Sequence, residues 1–152
     1  MPNWTFNKLT ISSQDVNDLN EVKELLLTEG KLTFNKFIEM PQDVKDSQEV
    51  PSPNPLWYQW SCDNWGTKWD ACDVAIETNN NVGYSKTWHE LVITFNTAWS
   101  APMPVIGKIF KATEDFDFEY EAQDECGEWR ITVDNEGHVA EWTNRYVGCL
   151  AD

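Results

Sequence analysis

The residue types most able to do chemistry in this chain are gathered in one run, Trp57-Tyr-Gln-Trp-Ser-Cys-Asp-Asn-Trp-Gly-Thr-Lys-Trp-Asp-Ala-Cys-Asp73. Trp57, Trp60, Trp65 and Trp69 alternate there with short polar and charged side chains. Each indole carries a large apolar surface and one N–H that wants an acceptor. One chemistry open to the run is a stacking wall for a planar ligand. Trp60, Trp65 and Trp69 would supply rings, Asn64, Thr67, Lys68 and Asp70 directional contacts, and Trp88 and Trp99 from a neighbouring strand the rest. Stacking of a base on an aromatic ring is worth roughly 1–3 kcal/mol, so two rings could anchor a nucleotide. The other possibility is an aromatic core beneath a sheet, with Gly66 allowing a tight turn and Asn64 and Asp70 bonding backbone groups there. Residue types alone leave both readings open.

A second constellation begins at Glu114. Asp117, Glu119 and Glu121 alternate with Phe116, Phe118, Tyr120 and Ala122. Strand geometry places the three carboxylates in a row on the outer face, about 6.5–7 Å apart. That spacing is close to two phosphate steps of a nucleic-acid strand. The row is therefore a candidate contact for a basic host protein, by imitation of nucleic acid. Arg130, on the outer face of the next strand, would neutralise part of it. The plain alternative is a solvated edge.

Ordinary catalytic signatures are missing. The chain has no G-x-S-x-G, no H-E-x-x-H and no phosphate-cradling glycine loop. Cys62, Cys72, Cys126 and Cys149 show no C-x-x-C spacing, and His89 and His138 lie far apart, which argues against a zinc site. Asp63 beside Cys62 opposes a thiolate there. The expectation is a protein that binds, without catalysis, metal or cofactor.

Composition narrows the partners. The net charge of -15 and pI near 4.3 repel phosphate backbones and anionic lipid. Direct nucleic-acid or membrane binding is disfavoured, whereas a basic protein suits the field. With 41% hydrophobic and 13% aromatic residues, the 152-residue chain reads as one globular domain, residues 1–152. Its opening lacks a basic start and an apolar core, and no run reaches the length of a membrane span. Residence in the cytoplasm, with reduced thiols, is the expectation.

The elements that would position these residues follow from periodicity. Trp4 to Ile11 reads as a strand with Leu9 and Ile11 on one face. Ser12 or Ser13 could cap a helix carrying Val16, Leu19, Val22 and Leu26, ending at Glu29 before Gly30. Leu32 to Ile38 reads as extended, and Pro41 to Pro55, with four prolines, as a long exposed loop. Leu56 to Asn64 reads as a short helix closed by Gly66. Strands follow at Lys68 to Glu77 and Trp88 to Trp99, separated by the turn cluster Asn79–Gly83. Ser100 would cap a second long helix with Pro102 and Pro104 in its first turn and Val105, Ile106, Ile109 and Phe110 as its buried stripe. The alternating strand from Phe116 comes next, then Trp129 to Val133, the turn Asp134–Gly137 and Val139 to Trp142. This order predicts an α+β fold of the split βαβ, ferredoxin-like type. Two helices would pack on one face of an antiparallel sheet, with a C-terminal hairpin added. The other face stays free.

Four stretches sharpen this reading: Met1-Pro-Asn-Trp4 with Asn7-Lys-Leu-Thr-Ile11, Phe34-Asn-Lys-Phe-Ile-Glu-Met-Pro41, Asn64-Trp-Gly-Thr-Lys-Trp-Asp-Ala71 and Phe95-Asn-Thr-Ala-Trp-Ser-Ala-Pro102. In this order they resemble the YubB-type ferredoxin-like domain family of bacteriophages, plasmids and integrated mobile elements. The resemblance implies a ferredoxin-like shape without an iron–sulfur cluster and a mobile-element origin. It brings no established activity and no catalytic residues. The functional expectation is an accessory protein in the bacterial host cytoplasm that blunts host defence by sequestering a small nucleotide-like ligand at the tryptophan run. The alternative is the acidic nucleic-acid mimic.

Overall fold

The computed structural model describes residues 3–80 and 88–143. Among them run β1 (Trp4–Ser13), α1 (Val16–Leu26), α2 (Gln42–Asp46), α3 (Leu56–Asn64), β2 (Cys72–Asn80), β3 (His89–Ala98), α4 (Met103–Ala112), β4 (Asp117–Asp124), β5 (Trp129–Val133) and β6 (Val139–Thr143). The strands form one antiparallel sheet in the order β2-β3-β1-β4-β5-β6. Mixed α+β architecture is thus as expected from the sequence, and with six strands the sheet is larger than a plain ferredoxin-like one.

Alternation in β1 sets the core. Leu9 sits between Ile93 and Tyr120, and Ile11 between Leu91 and Phe118, so one face of three central strands is continuously apolar. Leu19, Val22 and Leu26 of α1 and Val105, Ile106 and Ile109 of α4 bury into that same core. Two polar residues enter it fully bonded. Asn7 donates to the Thr5 and Phe95 carbonyls and to Thr97 Oγ1, and accepts the Tyr120 hydroxyl at 2.5 Å. Deep burial pushes the Tyr120 phenol well above its ordinary pKa.

Several local expectations change. Asp15 itself caps α1, its carboxylate accepting the Asn17 N–H at 2.9 Å, while Ser13 bonds Asp18. The helix ends at Leu26 instead of Glu29, because the Lys36 ammonium reaches back to the Glu24 and Leu27 carbonyls at 2.6 and 2.7 Å. A cation there satisfies orphan acceptors and complements the helix dipole. Glu29 and Gly30, at φ 52° and 77°, form a tight turn between Thr28 and Lys31. Val16 stays largely exposed in the first turn.

Leu32 to Ile38 is not a strand. Phe34–Lys36 coils into a 3-10 turn capped by the Thr33 hydroxyl. The supposed loop from Pro41 holds α2 and a further 3-10 turn, Ser47–Glu49, with Val44 buried; only the stretch from Val50 to Asn54 is the exposed segment expected. Helix α3 has the bounds expected, and Gly66 at φ 79° closes it. A Cβ on Gly66 would lie 2.8 Å from Pro104 Cδ, so glycine is required on both counts.

Strand β2 starts at Cys72, four residues later than expected, and a bulge at Asp73 (φ 51°) interrupts its pairing with β3. The turn cluster expected at Asn79–Gly83 falls mostly outside the described residues. Pro102, not Ser100, stands at the N-cap of α4. The Ser100 hydroxyl instead donates to the Gly66 carbonyl, tying the end of β3 to the α3 turn. The hairpin from β5 to β6 forms as expected. Asp134 accepts the backbone N–H groups of His138 and Glu136, which holds its carboxyl below the usual range.

Candidate functional site

The tryptophan run divides into a buried part and a surface part. Trp65 is 3% exposed and packs edge-on against Phe34 and Trp60, with ring centroids 5.7 and 5.2 Å away. Its indole N–H donates to the Ile38 carbonyl at 2.8 Å, so the ring is a core residue with its polar atom satisfied. Trp57 and Trp60 lean against the same core from α3, half-buried.

The polar residues are mostly structural. Thr67 is buried, its hydroxyl donating to the Ala98 carbonyl at 2.7 Å. Asn64 Nδ2 donates to the Trp60 carbonyl. Asp70 does the most: its carboxylate accepts the Phe34 and Ala71 N–H groups, both at 2.8 Å, and the Thr33 hydroxyl at 2.7 Å. These bonds replace the ladder that a strand at Leu32–Ile38 would have made. They explain why that stretch turns.

Trp69 and Lys68 behave differently. Trp69 is half-buried and tilted against Trp4, and the Lys68 ammonium sits 4.7 Å from its ring centroid and 5.3 Å from that of Tyr58. Such contacts hold a cation at an aromatic surface without neutralising it. Beside them opens a recess of about 430 Å³. Trp65, Lys68, Trp69 and Asp70 line it from the run itself, and Asn35, Lys45 and Gln48 from the segments before it. Of the residues singled out from sequence for the wall, Trp60, Asn64, Thr67, Trp88 and Trp99 do not line this recess. Trp99 is half exposed just past β3, in a left-handed turn at φ 74°.

Asn35, Lys45 and Gln48 were hidden by the expectation of extended and loop structure. A usable signal was present: Pro41 followed by Gln42–Asp46, with Asp43 early and Lys45 late, suits a helix dipole. Cys72 also borders the recess, but burial and the neighbouring Asp73 and Asp70 push its thiol up, away from thiolate. Burial and Asp63 do the same to Cys62.

The acidic row lies elsewhere, on the helix-free face of the sheet. Asp117, Glu119 and Glu121 stand opposite Ser12, Thr10 and Lys8 of β1. Strand β4 is interior, so the row is flanked by β1 and β5 and is not an edge. Arg130 pairs with Glu121 and lies over the Trp142 ring at 5.1 Å, while Asp117 accepts from Asn135. The cations Lys8 and Arg130 therefore border the row at its Glu121 end, as expected for Arg130.

Among the described residues no three His, Cys, Asp or Glu side chains converge as a metal site, and no helix is long and apolar enough to cross a membrane. Comparison with protein-family models, with curated proteins and with solved structures finds no match to this chain. The functional reading rests on geometry.

Proposed function

We propose that this protein acts by binding, capturing a small planar anion of nucleotide-like chemistry in the recess beside Trp69. The observation that carries the reading is the convergence of two ammonium groups, Lys45 and Lys68, with a half-buried indole on one recess. In a chain of net charge -15 the two cations offset part of the negative field locally, with Asp70 on the same recess and Glu39 3.7 Å from the Lys45 ammonium. The ring gives a stacking face, the lysines hold negative charge, and the Gln48 amide offers a directional contact, while the Asn35 amide is held by the Met40 N–H and Thr33. A volume of about 430 Å³ lies within the usual range for small-molecule sites. No catalytic step is assigned.

The wider reading follows the sequence resemblance: a ferredoxin-like domain of phage, plasmid or mobile-element origin that withdraws a nucleotide-like signal from a host defence in the cytoplasm. In its favour, β3 lies between β1 and β2, the insertion that splits a βαβ unit, and the hairpin β5–β6 extends the sheet beyond β4. Titration of the protein with a panel of nucleotides, followed by intrinsic tryptophan fluorescence, tests the binding step. Trp69→Ala should cost about 1–3 kcal/mol of affinity, the worth of one stacked base. A panel with no saturable response overturns the reading.

A further inference from the structure

Three hollows lie on the helix-free face of the sheet. One of about 350 Å³ has the half-exposed Phe6 ring at its wall with Lys8, Asp73, Gln123 and Arg130; one of about 560 Å³ lies over Asp117, Thr132, Asn135 and His138. A small one of about 40 Å³, bounded by Lys8, Thr10, Glu119 and Glu121, lies between them and shares two lining residues with each. Together they make one trough along β4. From Asp117 to Gln123 it is roughly 20 Å long at the rise of a strand.

We propose that this trough docks an extended, basic segment of a partner protein, with lysine or arginine at every second position. Five carboxylates line it (Asp73, Asp117, Glu119, Glu121 and Asp134) against Lys8 and Arg130, so its charge complements a cationic chain. The row Asp117, Glu119, Glu121 repeats at about 6.5–7 Å, the same interval that separates alternate side chains of an extended peptide laid along it. Such a peptide turns every second side chain towards the sheet and the rest to solvent. Phe6, exposed between Asn96 and Gln123, gives an apolar contact at one end. A phosphate backbone fits poorly, since the same carboxylates repel it. The proposal stands apart from the Trp69 recess, with which the trough shares no lining residue.

The test compares two blocked peptides of equal composition, one alternating lysine and threonine, the other with its lysines in one block, titrated at low salt by calorimetry and amide NMR. The alternating peptide should bind about tenfold more tightly, the summed worth of a few exposed charge pairs. Amide shifts should fall on β1, β4 and β5. The combined variant Asp117→Asn, Glu119→Gln, Glu121→Gln should erase the preference, and Glu119→Gln alone should reduce it about twofold. Trp69→Ala should leave peptide binding unchanged, which separates this result from that of the recess. Equal affinity for the two peptides, an undiminished preference in the carboxamide variants, or shifts elsewhere would overturn the proposal. So would amide shifts along the trough on adding single-stranded oligothymidylate to the protein without peptide.

Discussion

The recess beside Trp69 and the trough over β4 both combine aromatic rings with charge, but they are built from different parts of the fold. Around the recess, most polar groups are already engaged: Asp70 holds the Phe34 turn, Thr67 holds Ala98, and Trp65 donates to Ile38. Asn35 is engaged too, accepting the Met40 N–H and donating to Thr33. What remains for a ligand is the Trp69 ring, the Gln48 amide and the lysines, of which Lys45 also meets Glu39, on segments joined by loops and short helices. The trough instead takes its shape from strand register, and its side chains stand at intervals fixed by the ladder. A site of the first kind suits one compact guest; one of the second suits a guest with a repeat. The lesson is that residues clustered in sequence can be mainly scaffold, while an evenly spaced row can be mainly surface.

The sharpest way to test this division is to remove a ring from each part of the tryptophan run. Trp65→Ala should cost about 3–5 kcal/mol in urea unfolding, as for other buried aromatic truncations, whereas Trp69→Ala should cost far less and act on binding. Equal stability losses would erase the distinction between core and wall. Next in size is Asp70→Ala, which strands the Phe34 N–H and frees the Thr33 cap. We expect a loss of about 2 kcal/mol, measured the same way, because the acceptor is charged.

A pH series probes the core that supports both sites. The buried Tyr120 phenol has a pKa raised above its unfolded value, so its contribution is whole below pH about 10 and is drawn down as pH rises beyond that. Stability should fall by up to about 1.4 kcal/mol per pH unit in that window from this group, and Tyr120→Phe should flatten that slope. The smallest effect belongs to the trough. Arg130→Ala breaks an exposed pair with Glu121 and should change stability by less than about 1 kcal/mol.

Much of this architecture was legible in the chain. Alternation at Phe116–Ala122 and at Leu9–Ile11 marked the buried face, and the helical stripe of α4 was read residue by residue, since period alone fixes such positions. The reading failed where a distant side chain decides local structure. Nothing near Leu32 says that Asp70, 36 residues past Phe34, will cap its turn. Nothing near Glu29 says that Lys36 will close α1. For the candidate site, Lys68, Trp69 and Asp70 were identified, but their recess partners Asn35, Lys45 and Gln48 come from segments whose polar composition read as extended or loop. The helix-free face was anticipated as a consequence of topology, yet Phe6 and Gln123 gained meaning only once register set them side by side.

The most direct check on the central claim is a fluorescence titration of the intact protein with nucleoside monophosphates, repeated on Trp69→Ala, Lys45→Ala and Trp99→Ala. A ligand held in the recess should give a saturable change whose affinity falls by about 1–3 kcal/mol in Trp69→Ala, falls in Lys45→Ala and is unchanged in Trp99→Ala. A response with undiminished affinity after loss of the Trp69 ring, or one that disappears with Trp99, would contradict the account.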